Sequence, residues 1–291
     1  MSAVTERHAT AEYSSTEVHF RHPDGPMIHI IPEQTDTILD CVNGILDVLS
    51  TAGDGDTVLV AASRTAGMLY PVLIKESERR NIDLNRFTWG HIDNYLYPPE
   101  SDAGGPEGED FAAWVRINLI EPAGISPDRF FPLSGRTEDP QKSARMYDEW
   151  LSSCRIAAVI AGAPGPEPVV HVAFMNPDMD TECGVCVIPL SPETVERNRE
   201  RAEAAGKNPP PETAITLGFK HMRRAEHIFS VALGDEYAGR MKMALVDPVS
   251  PGVIASQWRT DGFREKVEIY LDRAAGAEIV AAFLRKKPGS D

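Results

Sequence analysis

Short apolar runs alternate along this chain with longer segments in which apolar residues recur every three or four positions. Such runs are typical of strands buried in a parallel sheet, and they lie at residues 27–31, 57–62, 87–92, 157–160, 214–217, 228–233 and 267–271. The segments between them favour helices, as in the stripe formed by Ile38, Cys41, Val42, Ile45, Leu46 and Leu49. Strands that alternate with helices, without internal repeats, predict an α/β protein: a three-layer αβα sandwich with a mainly parallel, Rossmann-like sheet.

This alternating pattern begins only at about residue 27. Residues 1–26 are polar and show no period, so we expect a flexible N-terminal arm there. No change in composition divides residues 27–291, and a chain of this length can bury a substantial core. We therefore expect a single α/β domain over residues 27–291.

The chain is strongly acidic, with a formal net charge of −15. A surface that binds a nucleic-acid backbone must be positive, so no nucleic-acid partner is expected. No apolar run reaches the length of a membrane span, and the first residues lack the basic start and apolar centre of a signal peptide. We expect a cytoplasmic protein without a membrane partner. A small phosphorylated ligand stays compatible with this charge, because a few local donors can hold it.

The four cysteines include one pair, Cys183 and Cys186, with C-x-x-C spacing. This spacing occurs in redox pairs and in zinc sites. No second pair and no nearby pair of histidines completes a zinc site, and Cys186 opens a strand-like run. The pattern therefore favours buried strand cysteines, and neither a metal nor another cofactor is expected.

A predicted strand, a loop of small residues and a helix follow one another around Ser63, Arg64 and Thr65. The free N–H groups and the dipole of a helix N-terminus favour an anion at such a position. Arg64 could hold a phosphate or a carboxylate with both of its terminal nitrogens. It could equally be a solvated loop residue.

The stretch from 157 to 177 carries the most informative chemistry of the chain. A buried-type strand is followed by a turn rich in glycine and proline at 162–166, and then by His171 within a second apolar run. Ligands of open α/β sheets bind beyond the carboxyl ends of the strands, so a histidine after such a loop is well placed for catalysis. Taken alone, a histidine between Val170 and Val172 is also compatible with a core side chain.

Two motifs in this chain resemble those of the glucosamine-6-phosphate deaminase family. The segment His171 to Pro177, HVAFMNP, is similar to the family's His-Ile-Ala-Phe-Asn-Glu-Pro. The segment Trp89 to Tyr95, WGHIDNY, resembles its Phe-Asn-Met-Asp-Glu-Tyr, and the order and separation of the two motifs match. The resemblance extends from about residue 38 to residue 271. It implies the α/β fold of that family and a sugar or sugar phosphate as substrate.

The resemblance also implies roles for individual residues. Asp93 stands at the position of the base that moves a proton between C2 and C1, and His171 at that of the histidine that assists ring opening. Asn94 and Asn176 replace two acidic residues of the family site, and we expect Asn176 to hydrogen-bond the imidazole in place of a carboxylate. A histidine without acidic partners is electrostatically weaker, or it serves a different substrate.

The family's phosphate-binding residues are matched only in part. The loop at Ser63, Arg64 and Thr65 occupies the position of the sugar-phosphate loop. An arginine that reaches the phosphate is expected from the segment that holds Arg197, Arg199 and Arg201, and Arg199 is taken as the candidate. Tyr237 stands where the family has a lysine, and the acidic residues Asp235 and Glu236 precede it. The missing lysine and the two acidic side chains favour a non-standard or unphosphorylated sugar as the ligand.

Three functions therefore remain open. The first is a divergent sugar or amino-sugar isomerase or deaminase that abstracts a proton next to a carbonyl. The second is a hydrolase similar to 6-phosphogluconolactonase, a sister family with the same fold whose motif after the histidine differs. The third is a sugar sensor without catalytic activity. The resemblance is compatible with a monomer or a homo-oligomer.

Overall fold

The computed structural model describes residues 17–99 and 110–284. Within them the strands are β1 Val18–Arg21, β2 Met27–Ile31, β3 Thr57–Val60, β4 Thr88–His91, β5 Asp93–Tyr95, β6 Phe130–Phe131, β7 Ile156–Ile160, β8 Val185–Pro189, β9 Thr213–Leu217, β10 His227–Ala232 and β11 Val267–Asp272. The helices are α1 Gln34–Thr51, α2 Arg64–Arg79, α3 Phe111–Val115, α4 Pro140–Ser153, α5 Pro192–Ala205, α6 Phe219–Arg224, α7 Ala238–Leu245 and α8 Ala277–Phe283. No helix in this part of the chain has the length and apolar content that crossing a bilayer requires.

The main sheet has eight strands in the order β1-β2-β11-β10-β7-β3-β4-β6. Only β1 runs antiparallel to its neighbour, and the other pairs are parallel. Two buried apolar clusters cover the two faces of this sheet, and the side chains of α1 and α2 belong to one of them. The predicted α/β architecture with a mainly parallel sheet is confirmed.

The apolar stripe that predicted α1 is fully buried, from Ile38 to Leu49, while Leu39 between these positions stays exposed. All five residues of β7 are buried as well, as a strand covered on both faces requires. Side-chain pattern therefore determines which face of each element enters the core. The predicted strand bounds agree with the observed ones to within about two residues.

A second sheet of three antiparallel strands, in the order β5-β9-β8, lies beside the main sheet. Ile92 joins the two sheets: its N–H donates to Val60 O at 3.1 Å, and its carbonyl accepts from Leu217 N at 2.7 Å. The chain thus leaves the parallel sheet at His91 and enters the antiparallel sheet at Asp93. A mostly parallel sheet was predicted, but this small sheet was not.

Two expectations are wrong where the structure tests them. Residues 18–21, assigned to a flexible arm, form the edge strand β1, since Phe20 packs near Phe283 and the strand pairs with β2. Residues 1–16 of that arm lie outside the described part of the chain. Cys183 and Cys186 are joined in a disulfide and are half-buried, so they are not two separate buried thiols.

Candidate active site

A cavity of about 460 Å³ opens at the carboxyl ends of the central strands. The segments that line it follow β3, β4, β7 and β10, together with one face of α5 from Thr194 to Arg201. This is where open parallel sheets bind ligands, because loops from neighbouring strands converge there. The volume suits a small metabolite.

The loop after β3 contributes Ser63, Arg64 and Thr65 to the cavity wall. The Ser63 hydroxyl accepts a hydrogen bond from Ala66 N at 3.1 Å and so caps α2. Arg64 extends outward, with 72 % of its side chain exposed, and its Nη2 lies 2.6 Å from Glu236 Oε1. The wall therefore combines a helix N-terminus with an ion pair at the outer rim of the cavity.

Asp93 also lines the cavity and is only 7 % exposed. Its burial raises the pKa of the carboxyl group to about 7. A carboxylate with such a pKa is a stronger base than an ordinary aspartate, and about half of it is ionised near neutral pH. Asp93 can therefore act as a general base at physiological pH.

A buried histidine that sequence reasoning did not single out fixes the backbone beside Asp93. His91 Nδ1 lies 2.9 Å from the Asp93 carbonyl, and its Nε2 accepts from Leu133 N at 2.9 Å. Because a carbonyl only accepts, Nδ1 carries the proton and donates it. Burial lowers the pKa of His91 to about 4, so the ring stays neutral and acts as a positioning residue. The sequence signal for His91 is limited to its position two residues before Asp93 in the run Gly90-His91-Ile92-Asp93.

His171 lines the cavity with a neutral ring whose Nε2 faces Gly165. Its Nδ1 is hydrogen-bonded to the Ala173 carbonyl, so the proton lies on Nδ1 and Nε2 keeps its lone pair. That Nε2 is buried and has no hydrogen-bond partner among the described residues. Burial, together with the nearby Arg197 and Arg240, lowers the pKa of His171 to about 4.

The loop around His171 adopts a strained backbone. Val170 and Ala173 have φ values of 47° and 50°, in the left-handed region that side chains with a Cβ rarely occupy. Such residues cost about 1–3 kcal/mol each and are found where surrounding contacts enforce them, often at functional sites. Here Gly165 N donates to the His171 carbonyl at 2.8 Å, and Gly165 leaves no space for a Cβ beside the imidazole. The turn therefore holds the ring tightly.

Three arginines, Arg197, Arg201 and Arg240, line the same cavity. Arg240 is only 8 % exposed, and its guanidinium carbon lies 4.6 Å from the centre of the Tyr237 ring. Burial lowers the pKa of Arg197, and the positive charges of Arg201 and Arg240 lower it further. Arg201 is exposed, and Arg197 lies 3.9 Å from the Glu236 carboxylate. Three positive charges at one wall of a cavity still favour a bound anion. Arg240 was missed from the sequence because it lies one helical turn after the Tyr237 position.

Three sequence-predicted residues do not reach the cavity. Asn94 is fully buried and structural: its Nδ2 donates to Leu133 O at 3.1 Å and its Oδ1 accepts from Phe111 N at 3.0 Å. Asn176 donates to Pro189 O at 3.2 Å, so the expected bond to the imidazole is absent. Arg199 points outward to Glu196 at 2.5 Å, whereas its neighbours at 197 and 201 face inward.

Known proteins with similar sequences and structures point to one superfamily. The chain is 24% identical to a glucosamine-6-phosphate deaminase of Clostridium acetobutylicum over 71% of this chain and 81% of the relative. It is 23% identical to one of Streptococcus suis over 87% of this chain and 99% of the relative. No family model matches the chain.

Solved structures give the same picture for the fold. A monomeric glucosamine-6-phosphate deaminase, described as a missing link of the NagB superfamily, superposes with a TM-score of 0.73 at 16% identity, over 86% of this chain and 98% of that one. The 6-phosphogluconolactonase of Trypanosoma brucei gives 0.65 at 17% identity, over 87% and 98% of the two chains. The sequence relatives and the shared fold together make this chain a divergent member of the superfamily that contains the glucosamine-6-phosphate deaminases and the 6-phosphogluconolactonases.

Proposed function

We propose that this protein is a sugar-phosphate isomerase or deaminase that abstracts a proton next to a carbonyl. The observation that carries the proposal is that one cavity is lined by a carboxylate with a raised pKa, a neutral imidazole and three arginines. The sequence relatives named glucosamine-6-phosphate deaminase support the same chemistry. Asp93, His171 and the arginines are the residues to which we assign roles.

In this mechanism Asp93 and His171 move different protons. The unprotonated Nε2 of His171 accepts the proton of the anomeric hydroxyl and returns it to the ring oxygen, which opens the sugar ring. Asp93 then takes the proton from C2 while the carbonyl oxygen on C1 gains a proton from solvent, so that the intermediate is an enediol or, with an amino sugar, an enolamine. Asp93 returns its proton to C1 as the hydroxyl or amino group on C2 loses one to solvent and becomes the new C=O or C=N. Neither step needs His171 to be charged beforehand, which suits a pKa of about 4.

The arginines favour a phosphorylated substrate over the unphosphorylated sugar that the sequence pattern suggested. The Glu236 carboxylate, which was expected to repel a phosphate, is paired with Arg64 at 2.6 Å. Asp235 is not among the residues that line the cavity, whereas the buried guanidinium of Arg240 is. A phosphate beside Arg197, Arg201 and Arg240 would relieve their mutual repulsion.

A proton NMR time course in D₂O tests this proposal. Glucosamine 6-phosphate, fructose 6-phosphate and unphosphorylated glucosamine are each incubated with the wild-type protein and with Asp93→Asn. We expect the C2 proton signal of the aldose or the C1 signal of the ketose to disappear with wild-type protein only, and faster with phosphorylated sugars. Release of ammonia distinguishes deamination from isomerisation. Exchange that persists in Asp93→Asn would refute the role of Asp93.

Lactone hydrolysis is the second candidate, because the unpartnered Nε2 of His171 could also activate a water molecule. The structural likeness to the Trypanosoma brucei lactonase is compatible with this reaction but shows the fold alone. Hydrolysis of 6-phosphogluconolactone that depends on His171 and survives Asp93→Asn would favour it. Tight binding of a sugar phosphate with neither reaction would instead indicate a sensor.

A further inference from the structure

Two histidines and an aspartate from three different elements meet at the β1–β2 edge of the main sheet. His19 and His29 are directly opposite each other on β1 and β2, and their Nδ1 atoms lie 2.8 Å apart. Asp40 of α1 places its Oδ2 at 3.7 Å from His29 Nδ1. One potential ligand atom from each residue lies within 4.8 Å of the other two. None of the three lines the cavity of the candidate active site.

Neighbouring side chains hold the His29 ring in one orientation, as a metal-binding residue requires. Its ring stacks on Tyr270 at 4.2 Å between centroids and 7° between planes, and 14% of its side chain is exposed. Its Nε2 is buried without a hydrogen-bond partner in the described part of the chain, and lies 3.7 Å from Glu268 Oε2. Glu268 also accepts a hydrogen bond from the Tyr270 hydroxyl at 3.0 Å. A carboxylate thus stands behind the imidazole, on the side away from Asp40.

We propose that His19, His29 and Asp40 bind a divalent transition-metal ion of the zinc type, and that Glu268 orients His29 from behind. Imidazole nitrogen and carboxylate oxygen are ligands that zinc accepts. In a tetrahedral zinc site with bonds of about 2.0–2.1 Å, the ligand atoms are about 3.3 Å apart. The separations from His29 Nδ1, 2.8 Å to His19 and 3.7 Å to Asp40, lie on either side of that value. The third pair, His19 and Asp40, lies within 4.8 Å, so closing the site around an ion requires these two side chains, both partly exposed, to adjust.

The hydrogen bond between the two rings is compatible with an ion at the same place. Without a metal, one of the two Nδ1 atoms must carry a proton and donate it to the other, because they are only 2.8 Å apart. An ion bound between them replaces that proton, which is released to solvent. The proton of His29 is then fixed on Nε2, where it points toward Glu268. Metal-bound histidines usually donate their other N–H to a carboxylate in this way.

The ion would connect the first strand of the structure to a helix of the core. His19 and Asp40 have 38% and 40% of their side chains exposed, so the ion can enter from solvent and a water molecule can complete its coordination. Since β1 is an edge strand held by one neighbour, the added link ties it to α1 as well. We assign the site a structural role that does not rest on the proposed catalytic function.

Titration of zinc into untagged, chelator-treated full-length protein tests the site. We expect one ion per chain by calorimetry, and a rise in Tm of about 5 °C at a zinc concentration one hundredfold above the Kd. His29→Gln should abolish this binding and Asp40→Asn should weaken it at least tenfold. Glu268→Gln should weaken it by about 10–100-fold, the usual effect of losing a carboxylate behind a ligating histidine. Asp36→Asn, an exposed aspartate one turn earlier on α1, is the matched control.

Two further measurements identify the ligands. Cobalt in place of zinc should give the visible absorption bands of a tetrahedral site, and His19→Gln, in an exposed side chain, should remove them without unfolding the protein. An anomalous difference map at the zinc edge should place the ion within about 2.2 Å of the three side chains. The proposal is overturned if zinc does not bind, if it binds elsewhere, or if its affinity is the same in His19→Gln, Asp40→Asn and Asp36→Asn.

Discussion

Replacement of Gly165 by alanine tests how closely activity depends on the position of His171. A Cβ at residue 165 would lie 2.0 Å from His171 Nε2 and 2.2 Å from Cδ2, whereas real Cβ contacts stay above about 3.0 Å. Gly165 itself has no positive φ, so alanine is compatible with the backbone. The imidazole must therefore move by at least about 1 Å, away from the position that its bond to the Ala173 carbonyl maintains.

A displacement of this size in a catalytic group costs about 10²-fold in rate. We therefore expect kcat/KM of Gly165→Ala to fall about 100-fold, which corresponds to about 2.7 kcal/mol of transition-state stabilisation. The assay is the proton-exchange rate with the sugar phosphate on which the wild-type protein is most active. Gly252→Ala is the control, since its new Cβ would meet only Ser250 Oγ at an ordinary 3.5 Å.

The melting temperature and the His171 ring signals in NMR separate a moved imidazole from a general loss of structure. We expect Gly165→Ala to stay folded, with the ring signals of His171 shifted and those of His91 unchanged. Activity within twofold of the wild-type value would refute the reasoning. So would a loss of activity in Gly252→Ala of the same size.

Further predictions concern charge. Because the pKa of Asp93 is about 7 in the folded protein and about 4 in the unfolded chain, stability should fall by up to about 4 kcal/mol as the pH rises from 4 to 7. The asparagine in the variant Asp93→Asn does not ionise, so the variant avoids this loss of stability. Its free energy of unfolding, measured by urea titration at pH 8, should therefore exceed that of the wild-type protein. The kcat/KM of the wild-type protein should rise through pH 7 as Asp93 ionises, with no second rise above pH 5 from His171, whose pKa is about 4. Arg240→Met should raise KM for a phosphorylated sugar about 10–100-fold and leave that for the unphosphorylated sugar unchanged.

Each of these predictions is contradicted by a different result. Equal stability of Asp93→Asn and the wild-type protein at pH 8 would contradict the raised pKa of Asp93. A rise in kcat/KM centred near pH 4 would contradict the assignment of Asp93 as the base. Equal effects of Arg240→Met on both sugars would mean that Arg240 does not contact the phosphate, and Arg199→Met, in an outward-facing arginine, is the matched control for it.

The elements of the fold could be predicted from the sequence because burial imposes a pattern on each of them. The stripe from Ile38 to Leu49 allows only one face of α1 to enter the core. The strand β1 could not be found in this way, because its exposed and half-buried residues show no apolar run. This strand forms because its backbone pairs with the edge of β2. The residues of β1 alone do not reveal that pairing partner.

The candidate site was predictable where a residue lies directly at the end of a strand, as Asp93 does. It was not predictable where a side chain's direction depends on tertiary packing. Arg197 and Arg201 are four positions apart on α5 and share the face that meets the cavity, whereas Arg199, two positions from each, lies on another face. Asn94 follows Asp93 along the strand and points to the opposite face, into the start of α3.

Ile92, which is hydrogen-bonded to both sheets, has a mechanical consequence for the neighbouring base. The small sheet carries Asp93 on β5 and, between β8 and β9, the helix α5 with Arg197 and Arg201. The loop that holds His171 leaves β7 of the large sheet, but Phe174 N of this loop donates to Thr216 Oγ1 on β9 at 3.1 Å. The base, the imidazole and the arginines are therefore all anchored to the small sheet. A change in the angle between the two sheets would displace these groups together rather than one at a time.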